Sequence, residues 1–144
     1  MCGIQLEAFP VIHSLIAPAV GYRISTQAVS IFYVPDVADI QERSRVLSGI
    51  RLYVGDGASI TRPLLRVRGK TIIGHTSVRD QLDWCRERAI KQAVITHCGS
   101  QIVRGGPAAI DRIKALGKER GVDVLVAYDG LEIKVGRNGI RVLD

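Results

Sequence analysis

Three histidines stand in this chain of 144 residues, and each closes the same kind of segment. His13 follows F-P-V-I, His75 follows T-I-I-G and His97 follows A-V-I-T. An imidazole at the end of a buried strand, beside a loop, sits where α/β folds place their chemistry. Two carboxylates share that placement: Asp36 ends I-F-Y-V-P-D, and Asp56 ends the strand of R-L-Y-V-G-D-G. A carboxylate there is costly to bury unless it meets a cation or several donors. Neutral imidazole and carboxylate together form the ligand set of zinc and related divalent ions. The same residues also admit structural roles. A strand-end histidine often only completes a hydrogen bond, Asp36 could cap a helix starting at Val37, and Asp56 could stabilise a glycine turn. The separation of His13, Asp36 and His97 is long-range and no H-x-x-x-H or H-E-x-x-H occurs, so only the fold can bring them together.

Positioning these residues requires apolar runs of strand length alternating with helical patterns. Strands are expected at 6–12, 20–24, 29–34, 50–54, 71–73 and 93–96. The run V-S-I-F-Y-V, β-branched and aromatic, is the strongest of them. Segments 122–127 and 131–135 read as a closing hairpin around Asp129-Gly130. Helices are expected over 37–47, over a stretch capped by Thr76 or Ser77 and ending at Arg88, and from Pro107 to just before Gly121. In the second of these, Val78, Leu82, Cys85 and Ala89 share one face. This order predicts an α/β layer architecture, with an antiparallel or mixed sheet where the first three strands lack intervening helices.

Composition bounds the rest. The length suits a single domain over residues 1–144, and 47% hydrophobic residues suffice for a core, which must rest on Val, Ile, Leu and Ala because aromatics are only 5%. Glycine, at 15 residues, falls mostly between apolar runs and marks tight turns. No apolar run is long enough to span a bilayer and no secretory leader opens the chain, so a cytoplasmic protein without a membrane partner is expected. Cys2, Cys85 and Cys98 form no C-x-x-C pair and are expected as reduced thiols, Cys85 as a small buried apolar residue. The formal charge of +6 favours an anionic partner such as a phosphate ester or nucleic acid. The basic residues are scattered without interleaved aromatics, which argues for solvated faces over a base-stacking surface.

The ordered series F-P-V-I-H-S, A-V-G-Y-R-I, I-F-Y-V-P-D, L-Y-V-G-D-G, G-H-T-S-V-R, V-I-T-H-C-G-S and A-Y-D-G-L-E-I resembles the C-terminal half of metallo-β-lactamase-fold hydrolases. The similarity leans to the phosphodiesterase branch, which holds the ribonuclease Z enzymes and the cyclic phosphodiesterases of phosphonate metabolism. It implies half of an αββα sandwich, a mixed sheet with helices on one face. It further implies His13 as the histidine ligand that follows the signature motif, Asp36 as the carboxylate bridging two metals and His97 as the last ligand. By the same resemblance, His75 matches a non-ligand histidine acting on the scissile phosphate or leaving group, and Asp56 the carboxylate paired with it. The implied cofactor is zinc or another divalent metal, two ions in the intact fold. Family members carry an H-x-H-x-D-H motif in an N-terminal half, and these 144 residues contain none. The expectation is therefore a hydrolase half, inactive or needing a partner chain that supplies the motif. The alternatives are a homo-oligomeric scaffold and a nucleic-acid-binding remnant of the fold.

Overall fold

The computed structural model describes residues 3–143. Cys2, one of the three expected thiols, lies outside them. The first long apolar runs form β1 (Gln5–Ile12), β2 (Ala19–Ser25) and β3 (Ser30–Tyr33), an antiparallel meander. β4 (Asp39–Ile40) adds to the far side of β1, and β5 (Leu52–Asp56), β8 (Gln92–Thr96) and β9 (Asp123–Val126) continue from β3 in parallel. The result is a mixed seven-stranded sheet in the order β4-β1-β2-β3-β5-β8-β9. Two hairpins stand apart from it: β6 (Leu64–Arg68) with β7 (Thr71–His75), and β10 (Glu132–Gly136) with β11 (Gly139–Leu143).

Because side chains alternate across a pleated strand, the pairing register assigns every residue to a face. On one face the row Arg23–Phe32–Tyr53–Ala93–Val124 crosses five strands. Helix α2 (Val78–Glu87) meets this face through Gln81, whose Oε1 accepts from the Tyr53 hydroxyl at 3.0 Å. Helix α3 (Ser100–Glu119) meets it at Gly117, where a β-carbon would run into Val124. Phe32, Tyr53, Leu82, Cys85, Ala93, Ile95 and Ile113 are all fully buried there. Gly21 is required on this face, since a β-carbon would lie 2.5 Å from the Phe32 ring. The expected architecture, a mixed sheet with helices on one face, is the one observed.

On the opposite face the row Ala8–Tyr22–Tyr33–Val54–Val94–Leu125 crosses six strands. No helix covers it among the described residues. Leu6, Val20, Tyr22 and Tyr33 on this face are 68, 38, 42 and 39% exposed. At the β5–β8 end the C-terminal hairpin is tied to the sheet, with the Ile140 N–H donating to Gln92 Oε1 at 3.1 Å and Arg51 donating to the Arg137 carbonyl at 2.7 Å.

Four local expectations are corrected. The helix expected over 37–47 shrinks to one turn, α1 (Arg43–Val46). Its apolar spacing is helical, but Asp39 and Ile40 pair with Ile12 and Val11, and covering the free edge of β1 outweighs helix propensity. Segment 122–127 does not hairpin with 131–135: β9 pairs parallel to β8, and β10 turns at Arg137-Asn138 to meet β11. Strand β6 was not expected, because its residues are exposed and alternate weakly. The last helix begins at Ser100, well before Pro107, with non-helical backbone at Gly106 (φ 53°, ψ −138°) separating its two segments. Of the two caps expected for α2, Thr76 or Ser77, Ser77 serves, accepting from the Asp80 N–H at 3.1 Å.

Candidate metal centre

β1, β3, β5 and β8 all point the same way: β3, β5 and β8 are mutually parallel, and β1 is antiparallel to β2, itself antiparallel to β3. Their C-terminal ends share one edge of the sheet. His13 lies just past β1, Asp36 past β3, Asp56 ends β5 and His97 follows β8. His75 ends β7 and reaches the same edge because the hairpin is fastened there. The Gly74 N–H donates to the His13 carbonyl at 2.8 Å, and His13 Nδ1 donates to the Gly74 carbonyl at 2.9 Å. All five residues singled out in the sequence therefore converge.

The three rings form a continuous group, with His13 and His75 centroids 4.8 Å apart and those of His75 and His97 5.6 Å apart. Asp36, half exposed, faces all three. Its Oδ1 lies 4.0 Å from His13 Nε2, 4.0 Å from His75 Nδ1 and 3.4 Å from His97 Nδ1. None of these approaches is a good hydrogen bond. Asp56 is the opposite case. It is fully buried, and its carboxylate accepts from the Val37 N–H at 3.1 Å, the Ala58 N–H at 2.9 Å and His75 Nδ1 at 2.6 Å. Three donors at close range meet the cost of burying that group. Asp56 thus holds the glycine turn and orients His75 at once, whereas Asp36 caps no helix.

The hydrogen bonds also fix the ring nitrogens. A carbonyl oxygen can only accept, so the Gly74 contact puts a proton on His13 Nδ1 and turns Nε2 toward Asp36. His75 likewise turns Nδ1 to the Asp56 carboxylate and keeps Nε2 free. His97 is held with φ 50°, a left-handed conformation that costs a non-glycine residue about 1–2 kcal/mol. The loops on either side lock it there: the Gly57 N–H donates to the Thr96 carbonyl at 2.7 Å and the Gly99 N–H to the Gly57 carbonyl at 2.9 Å. Both glycines are needed for that approach, because β-carbons would lie 2.6 Å from Thr96 O and 2.5 Å from Ala58 O.

One functional support escaped sequence reasoning. Gln81, fully buried on α2, clasps the Asp56 backbone from both sides, with Nε2 donating to the carbonyl at 2.7 Å and Oε1 accepting from the N–H at 2.8 Å. The signal was legible: Gln81 lies three residues after Val78 and four before Cys85, a polar residue on the apolar face of the helix.

Asp36, Asp56, His75 and His97 each bring one ligand atom within 4.8 Å of one another, a grouping able to hold a metal ion. Asp56 is the weakest of these candidates because backbone and imidazole donors already occupy its oxygens. Asp36, His97 Nε2 and His13 Nε2 are uncommitted ligand atoms of the types zinc takes, while His97 Nδ1 lies 3.5 Å from Asp56 Oδ1. Their kind fits a divalent ion; their number falls short of three protein ligands for each of two ions.

A mixed sheet backed by helices on one face, with a His/Asp cluster on the rim where its strands end, makes this an α/β protein with a candidate metal centre. The chain belongs to the beta-lactamase superfamily domain family, whose profile matches residues 1–98. No curated protein matches the sequence. Among solved structures, it is similar to the metallo-beta-lactamase fold protein YhfI from Bacillus subtilis at 14% identity and a TM-score of 0.62, covering 86% of this chain and 46% of that one. A diphosphatase from the PhnP family gives 19% identity and a TM-score of 0.59, covering 91% and 43%. An isothiocyanate hydrolase from Delia radicum gut bacteria gives 13% identity and a TM-score of 0.61, covering 89% and 52%. The chain thus spans about half the length of these structures.

Proposed function

We propose that the chain is the C-terminal half of a metal-dependent hydrolase of the phosphoric diester class, completed by a partner that supplies the H-x-H-x-D-H ligands. The observation that carries this reading is Asp36 Oδ1, set 3.4–4.0 Å from three imidazoles without a good hydrogen bond to any of them. A half-exposed carboxylate in that position is poised for a cation. His13 and His97 would flank it as ligands, with Asp36 shared between two sites. Zinc or a related divalent ion held by these residues would supply Lewis-acid activation of water at neutral pH.

The chain's own residues do the rest. Asp56 holds His75 through Nδ1, leaving Nε2 as the atom that, when protonated, donates to the departing alkoxide. The Gly74–His13 hydrogen-bond pair keeps both rings in register. Alone, the chain offers too few ligands for two ions, and its exposed sheet face fits the docking of a second layer, either a partner chain or another copy. The test is zinc uptake and diesterase activity on thymidylyl-thymidine, a diester whose leaving group is an alkoxide that needs a proton, with and without a polypeptide carrying H-x-H-x-D-H. Activity should appear only in the mixture, and His75→Ala should cut it about 100-fold or more. Activity that survives His75→Ala, or a mixture that takes up no zinc, contradicts the reading.

A further inference from the structure

The β6–β7 hairpin forms one wall of a cleft that opens from the metal centre, and the hairpin side of that cleft has no part in the metal-centre reading. The cleft encloses about 630 Å³ and ends at His13 and His75, with Leu64, Leu65, Arg66 and Ile73 along the hairpin side. That size falls within the usual range for small-molecule sites. The hairpin's register is informative. Leu64 pairs with His75 and Arg66 with Ile73, so alternation places Leu64, Arg66, Ile73 and His75 on one face of the hairpin. Arg66 stands one pair of residues from His75, a separation of roughly 7 Å along the strand, which an arginine side chain can span.

Three features describe the ligand. Arg66 is the one arginine or lysine in the lining and no carboxylate is among the lining residues, while Asp36 and Asp56 stand behind the two imidazoles at the far end, so the hairpin side of the cleft is the side that favours an anion. Leu64 is 52% exposed and half-buried Ile73 lies beside it, giving the anion an apolar neighbour. The guanidinium of Arg66 makes no ion pair or hydrogen bond among the described residues. The hairpin's exposed leucines and free arginine have no structural task in the fold, since β6 is exposed along its whole length.

We infer that the β6–β7 hairpin is a specificity wall that selects phosphate esters with an apolar, aryl-sized arm, which packs on Leu64 and Ile73 while Arg66 pairs with the phosphate. The inference deepens the proposed hydrolase and rests on its placing the reacting phosphate at His13 and His75.

Binding can be read without turnover. Bis(p-nitrophenyl) phosphate and dimethyl phosphate are titrated separately into the whole chain, followed by nuclear magnetic resonance shifts, while zinc uptake is measured on the same samples. The aryl ester should bind about tenfold or more tightly than dimethyl phosphate, with shifts at residues 64–75. Arg66→Gln should weaken the aryl ester about tenfold. Leu64→Ser should erase most of the preference, and both exposed-site variants should keep the wild-type zinc uptake. Equal affinity for the two esters, or aryl-ester binding indifferent to both substitutions, overturns the specificity wall whatever zinc does. Aryl-selective binding that depends on Arg66 in a chain that takes up no zinc, even with the partner half present, supports the wall and instead removes the hydrolase reading.

Discussion

At the scale of single residues, the two carboxylates of the centre divide their work by environment. Asp56 is buried and fully hydrogen-bonded; Asp36 is half exposed and faces only imidazoles. The same division explains Gln81. Replacing it with Leu removes both clasps on the Asp56 backbone and the acceptor of the Tyr53 hydroxyl, leaving buried polar groups unpaired. Gln81→Leu should therefore cost about 2–3 kcal/mol in urea unfolding, and an unchanged midpoint would remove the clasp from the account. His97 carries a second signature. Because its φ is 50°, His97→Gly should be more stable than His97→Ala by about 1 kcal/mol, the reverse of the ordinary order, with zinc uptake falling in both. A third concerns Cys85, whose thiol is pushed up to about 12 by burial, from an ordinary 9.0. The folded state thus favours the neutral thiol, so its contribution is intact below pH 9 and is lost as pH rises from there toward 12. Unfolding midpoints should decline across that window, and Cys85→Val should flatten the early part of the decline. Buried Tyr53, also held neutral by desolvation, sustains the later part.

At the scale of elements, the centre depends on where strands end and on how one hairpin is pinned. Gly74 sits at φ +114°, and a β-carbon there would collide with the Leu64 carbonyl. Gly74→Ala should loosen the β6–β7 hairpin, break its paired hydrogen bonds with His13 and move His13 and His75 apart. The expected readout is a thermal shift of several degrees together with reduced zinc uptake; a variant with wild-type values in both would show that the pin is dispensable. The helices act differently. α2 secures Asp56 through Gln81, and the glycine-rich loops after β5 and β8 hold each other and, between them, His97.

At the scale of the whole molecule, one sheet face is covered by α2 and α3, while the other leaves Leu6, Val20, Tyr22 and Tyr33 exposed in adjoining rows. Contiguous apolar surface of this kind favours association. In sedimentation velocity the wild-type chain should self-associate, and the double substitution Tyr22→Lys with Tyr33→Glu should shift it to monomer without loss of helical signal. Persistence of the oligomer in that variant would place the contact elsewhere. No helix among the described residues is long and apolar enough to cross a membrane.

The sequence alone carries the strand-end placement of His13, Asp36, Asp56, His75 and His97, a helix cap at Thr76 or Ser77 and the buried Val-Ile-Phe-Tyr runs, because these follow from local alternation and from residue chemistry. It misread segment 37–47, the pairing of 122–127 and the beginning of the last helix, where local spacing competes with partners far along the chain. That four strands deliver their ends to one rim, that Asp56 is saturated while Asp36 is not, and that a weakly patterned hairpin carries His75 to its place emerge only in the folded layers. Those outcomes depend on hydrogen bonds and packing between residues far apart along the chain, 61 positions in the pair His13 and Gly74. Local periodicity contains no record of such contacts, because the free energy that selects them exists only once the layers have met.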